Sequence, residues 1–189
     1  MKKKRPGKER KTSKKQSYLI FMGALIILIM VGGAINMGGE DENAVEFNGV
    51  QFVQTSSGWV GYKEDGSQIA VSYNPEELKN MTIGYVPISQ LNMMGKIYLT
   101  YNPQERVRSA LTSFAREIEL NPLIIPACTE DVPQCADMPL KTCDDATESI
   151  GVIEFRETNE TFVGMDGNCL KIHGRKLDKL VDRLILEQI

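Results

Sequence analysis

Four cysteines and one histidine carry most of the chemistry open to this 189-residue chain. The sulfurs stand at Cys128, Cys135, Cys143 and Cys169, with six, seven and twenty-five residues between successive members. Structural zinc sites and dithiol oxidoreductases use closely spaced pairs, which bring both thiolates onto one ion or into one reactive couple. No such hook occurs here. An even number of widely spaced cysteines predicts two structural disulfides in an oxidising compartment. Four cysteines allow three connectivities. The preferred one joins Cys128 to Cys135, closing a small surface loop, and Cys143 to Cys169, tying a long segment to a late strand. The second bridge would constrain a loop of about 27 residues, on the order of 3 to 4 kcal/mol in the chain-entropy picture. The stretch 127–147, ACTEDVPQCADMPLKTCDDAT, has two prolines, many acids and no periodicity, and needs such crosslinks to hold one shape.

General acid–base catalysis calls for a group titrating near neutrality beside a partner, and His173 is the single histidine. It stands at a predicted strand end before Gly174, where it reads as a turn residue. No nucleophile elbow, H-E-x-x-H, glycine-rich phosphate loop or EF-hand pattern occurs. The acid pairs Glu130-Asp131 and Asp144-Asp145 could meet Ca2+, but they lack the alternating ligand spacing of a calcium loop. No catalytic, cofactor-binding or metal-ligating residue, and no cofactor, is therefore assigned. Asn80-Met81-Thr82 and Asn159-Glu160-Thr161 match the N-glycosylation pattern, and Asn159, in a predicted turn, is the better candidate. Trp59 and Phe52 read as core residues rather than as an exposed binding face.

The elements that must position these residues follow from charge and hydropathy. Residues 1–17 hold nine Lys or Arg against Glu9 alone, a net +8, and predict a basic, disordered cytoplasmic tail. Residues 18–38 predict a transmembrane helix: YLIFMGALIILIMVGGAINM shows no polar face, and twenty residues at about 1.5 Å each match a hydrocarbon core of about 30 Å. The bilayer is thus one partner, through residues 18–37. Basic residues before the span keep the N-terminus cytoplasmic and place the rest outside. A cleaved secretory signal, with Gly32-Gly33-Ala34 at the cut, is the competing reading, and the length of the apolar run favours a retained signal-anchor. A pilin-like subunit would need a prepilin motif, for which Lys15-Gln16-Ser17 is a poor match. Residues 40–189 carry thirteen basic and twenty-four acidic residues, a net −11, which excludes nucleic acid as the ligand class of this part, because such affinity comes largely from cations.

A linker at 39–46 leads into an extracytoplasmic domain at 47–189. Strands are expected at 50–53, 59–62 and 68–73 as an antiparallel meander. VSYNPEELKN and LTYNPQERVR then repeat one pattern in which Asn74 and Asn102 would cap helices, Pro75 and Pro103 take the first helical position, and Glu77 and Glu105 complete capping boxes. The second helix shows Val107, Ala110, Leu111, Phe114, Ala115 and Ile118 on one face, and between strands at 96–101 and 123–125 it makes a β-α-β unit. Strands at 151–156, 161–165 and 169–173 follow, with Asp166-Gly167 as a hairpin signal, and a last helix carries Leu177, Leu180, Val181, Leu184 and Ile185. The class is α+β, with a mostly antiparallel sheet, a β-α-β unit and a C-terminal helix after the membrane span. The order β-α-β then β-β-α also resembles thioredoxin-like domains, but Asn102-Pro103-Gln104-Glu105 stands where their reactive cysteines would be.

The Cys-Asp-Asp loop, the Asn-Glu-Thr turn, Asn-Cys-x-x-Ile-x-Gly and the helix reading Asp-Arg-Leu-Ile-Leu, over residues 140–189, resemble uncharacterised single-pass membrane proteins of small archaeal type. The chain departs from them at its Glu187-Gln188-Ile189 ending. The resemblance implies the same topology and supplies no site residue. The function expected is a membrane-anchored extracytoplasmic binding domain facing another protein or a surface component. The alternative is a thiol–disulfide redox factor or other enzyme using the cysteines.

Overall fold

The computed structural model describes residues 44–189. The tail at 1–17, the span at 18–38 and the linker as far as residue 43 lie outside the described residues. Among the described residues no helix is long and apolar enough to cross a membrane.

Four strands form an antiparallel meander: β1 (Ala44–Phe47), β2 (Val50–Thr55), β3 (Gly58–Tyr62) and β4 (Gln68–Val71). β1 thus takes in residues 44–46, expected as linker. Asn48 and Gly49 both have positive φ, 48° and 83°, the two-residue turn whose twist suits a hairpin and which Asn-Gly favours. It folds residues 44–47 back on β2, so part of the expected linker is strand. Val45, Phe47, Val50, Phe52, Trp59, Ile69 and Val71 share the inward face, as the register requires.

Two short helices, α1 (Pro75–Leu78) and α2 (Ile88–Asn92), lead to a five-stranded sheet ordered β6-β5-β7-β9-β8. Its strands are β5 (Lys96–Tyr101), β6 (Leu123–Cys128), β7 (Ile150–Arg156), β8 (Phe162–Asp166) and β9 (Cys169–His173). The expected β-α-β unit is present as β5, α3 (Arg108–Glu117) and β6, and the expected C-terminal helix as α4 (Leu177–Leu186). The antiparallel expectation describes the meander but not this second sheet. β6, β5, β7 and β9 run parallel, and only β8 opposes its neighbour. Parallel neighbours need a crossover. Here one crossover is the aperiodic segment after Cys128, and another is the β8 excursion. The near-continuous burial of β7 from Gly151 to Phe155 is the mark of a parallel strand covered on both faces.

Both longer helices pack on one face of this sheet and share a single core with the meander. Phe114 of α3 meets Phe155 of β7 edge to face, with ring centroids 5.6 Å apart. The outer edge of β4 is closed by helix carboxylates. Glu117 accepts the Ala70 N–H at 3.1 Å, and Asp182 Oδ2 accepts the N–H groups of Ser72 and Tyr73 at 2.7 and 3.0 Å. These bonds engage donors that would otherwise template a further strand.

The expected start of α3 is corrected. Asn102 Oδ1 accepts the Gln104 N–H at 2.9 Å, a local turn of the kind expected, but the helix begins only at Arg108. Glu105 takes the Glu157 N–H at 2.6 Å and Arg106 pairs with Glu157 at 2.5 Å, so tertiary bonds hold the intervening residues in turns. At the first repeat Asn74 does cap its helix, through the Glu76 N–H at 2.9 Å, and that helix lasts one turn.

Candidate functional site

The face of the five-stranded sheet opposite the helices collects most of the residues singled out by the sequence. Cys128 is bridged to Cys135, and Cys143 to Cys169. Cys128, Cys135 and Cys169 are buried. The first bridge closes a loop at the end of β6, where Cys128 also exchanges backbone hydrogen bonds with Pro139 and Lys141. The second fastens the segment to β9. Between them the segment lies over the sheet: the Lys141 carbonyl accepts from Thr100 at 2.6 Å, and the Lys96 and Lys141 ammoniums lie 5.1 and 5.4 Å from the Tyr98 ring centroid.

Glu154, on β7, sits under this segment with only 5% of its surface exposed. Its Oε1 lies 2.9 Å from His173 Nε2, and its Oε2 accepts the Cys143 N–H at 3.2 Å. Burial works to raise the Glu154 pKa, but the His173 hydrogen bond and the Cys143 N–H outweigh it and hold the group below its ordinary value. His173 is therefore more than a turn residue: it is one half of a partly buried pair. What such a pair can do chemically is orient an imidazole. Thr100, the cross-strand neighbour of Glu154, already donates its hydroxyl to the Lys141 carbonyl, so it does not stand free as a nucleophile beside the pair.

At the carboxyl ends of the parallel strands, where open α/β sheets place ligands beside the point at which successive connections diverge, ion pairs line an open cavity of about 440 Å³ whose walls include Arg106, Glu157, Asn159 and Arg175. Arg106 pairs with Glu157, and Glu130 receives the Asn102 amide at 3.3 Å and Arg156 at 3.4 Å. Asn159 lies beside them with its Oδ1 accepting Nε and Nη2 of Arg175, at 3.1 and 2.9 Å. Asn80 and Asn159 are both exposed. The acid pairs have structural duties. Asp145 accepts Lys141 Nζ at 2.8 Å and the Thr142 N–H at 2.9 Å in a capping box. Among the described residues no group of three acidic, histidine or cysteine side chains converges as a metal site.

Compared with known proteins, the chain matches no family model, no curated protein and no solved structure. Function has to be read from the geometry.

A cleft of about 580 Å³ lies between the meander and α3, within the size range of small-molecule sites. Trp59 and Phe52 both belong to the core, and Trp59 also lines this cleft. Sequence reasoning missed it, having used α3 only for its apolar face. Its signal was Arg108, Thr112 and Arg116 at four-residue steps beside Ser109 and Ser113, two polar rows on one side of a helix.

Proposed function

We propose that this chain is a membrane-anchored extracytoplasmic binding domain, held to the bilayer by residues 18–37 and facing another protein or a surface component. One observation carries the reading. The two cystines, with three of their four cysteines buried, pin an otherwise irregular segment onto the sheet, which suits an oxidising compartment and a rigid recognition domain. The charge asymmetry of the sequence, basic before the apolar run and acidic after it, points the same way.

The redox or enzymatic reading rests on the same four sulfurs and on the Glu154–His173 pair. Burial of three of the four cysteines opposes it, because exchange needs an accessible sulfur. Protease added to intact cells, followed by alkylation of the native protein with and without mild reductant, separates these readings. A digestible acidic domain with two bridges that resist reduction supports the anchored binding domain. One readily reduced pair supports the redox factor, and a protected domain with free thiols removes both.

A further inference from the structure

We infer that the cleft between the meander and α3 binds a small hydroxyl-rich oxyanion, the chemistry shared by a sugar acid and a sugar phosphate. This inference rests on reading the chain as an extracytoplasmic binding domain and names the ligand class of one site on it.

Charge is the first argument. Residues 40–189 carry almost twice as many acids as bases, yet the cleft walls include Arg108 and Arg116 and no carboxylate. A concave site walled by one sign of charge concentrates ligands of the other. The two arginines are eight residues apart on α3, about 12 Å along its axis, with Thr112 midway on the same side. Their side chains can reach inward from both ends of that row.

Arg116 is held in place. Its Nε donates to Glu117 Oε1 at 2.5 Å, and the other oxygen of Glu117 takes the Ala70 N–H at 3.1 Å. Glu117 therefore ties the guanidinium to the edge of β4 through one nitrogen, leaving both Nη groups, the fork that matches a carboxylate or phosphate, outside that bond. Arg116 keeps 55% of its side chain exposed at the mouth.

Hydroxyls supply the second argument. Ser109, Thr112 and Ser113 line the helix wall, and Ser57 and Ser72 the sheet wall. Each can both donate and accept, as a sugar hydroxyl requires. Thr112 donates to the Arg108 carbonyl at 2.9 Å and keeps its oxygen as an acceptor. The sheet wall has a fixed shape: at Gly58, with φ of 135°, a Cβ would stand 2.4 Å from the Val71 carbonyl oxygen, so only glycine lets the start of β3 lie this close to β4.

Trp59, the single tryptophan of the chain, lines the cleft and reports on it. Full-length protein in detergent micelles is titrated with glucuronate, glucose 6-phosphate and glucose while Trp59 fluorescence is followed. Saturable changes with glucuronate or glucose 6-phosphate, weakened by added salt and at least about tenfold weaker for glucose, support the inference, and the stronger of the two names the source of the anion. The double variant R108Q/R116Q, whose sites are exposed and whose folding is checked by its unfolding midpoint, is expected to lose at least about tenfold in affinity. The inference is overturned if neither anion gives a saturable change, if glucose binds as well, or if a folded double variant binds unchanged. Protease accessibility of the domain on cells is read independently, so loss of this site leaves the anchored-domain reading standing or falling by its own test.

Discussion

Two buried carboxylates, one on each side of the five-stranded sheet, respond to burial in opposite directions. Glu154 lies under the cystine-pinned segment with a partner on each oxygen, and its pKa is held below the ordinary glutamate value. Asp182 lies in the helix layer, fully buried, with both of its backbone donors on Oδ2 and no partner for Oδ1 among the described residues. There desolvation prevails over the Ser72 and Tyr73 hydrogen bonds and pushes the group up to about 6. Low exposure is common to both. The difference lies in whether each oxygen is served. Both oxygens of Glu154 have partners, whereas Oδ1 of Asp182 has none among the described residues and the like charge of Asp178 outweighs the opposite charge of Arg116. The fold therefore favours the charged form of one and the neutral form of the other. The two sides are also held by different means: interlocking aromatic and aliphatic side chains under the helices, and covalent bridges with polar contacts over the opposite face.

The sharpest way to break this contrast is to remove one support from each side. Phe155→Ala deletes the ring that meets Phe114 in the helix-covered core and should cost about 3 to 5 kcal/mol in urea denaturation. Replacing Cys143 and Cys169 together with alanine should cost roughly 3 to 4 kcal/mol, the constraint lost from a loop of this length. If that loss is negligible, the segment over Glu154 holds itself without its bridge.

The acids sharpen the comparison through pH. The folded pKa of Asp182 lies above its unfolded value of 3.8, so its contribution is fully present below pH 4 and is lost as pH rises through about 6. At about 1.36 kcal/mol per pKa unit, that is on the order of 2 to 3 kcal/mol by neutrality. Asp182→Asn retains an acceptor for Ser72 and Tyr73 and should flatten this part of the stability profile between pH 4 and 7. An unchanged profile would assign the dependence to another group. Glu154 behaves with the opposite sign: its folded pKa is depressed, so its stabilisation is present above the unfolded value of 4.5 and fades as pH falls. Glu154→Gln should cost about 1 kcal/mol at pH 7 and close to nothing in acid, the smallest effect of the set.

Much of the architecture was legible because it rests on local patterns. The 3.6-residue recurrence of Leu177, Leu180, Val181, Leu184 and Ile185 is α4, and all five are buried. Strands β5 and β9 coincide with their expected limits. Asn48-Gly49 is a further hairpin signal in the sequence, and Gly151 to Phe155 of β7, apolar on both faces except at Glu154, is the signal of a parallel strand. The cystine pairing preferred from spacing is the pairing of the structure, although three connectivities were open.

Local patterns are set by the chain's own neighbours: periodicity, caps, turn residues and the separation of cysteines act within a few turns of backbone. By itself, then, the sequence determined the α+β class, the helix that packs in the β-α-β unit, the last helix and the charge contrast between the tail and the acidic remainder. Only the tertiary structure decided that β7 and β9 run parallel to β5, because their direction depends on how an irregular, crosslinked crossover returns the chain. It also decided that His173 meets Glu154 across nineteen residues of sequence, that Glu105 and Arg106 leave the helix for Glu157, and that Arg108 and Arg116 face serines of a distant sheet. Such meetings join residues with no periodic relation to one another, and packing alone brings them together.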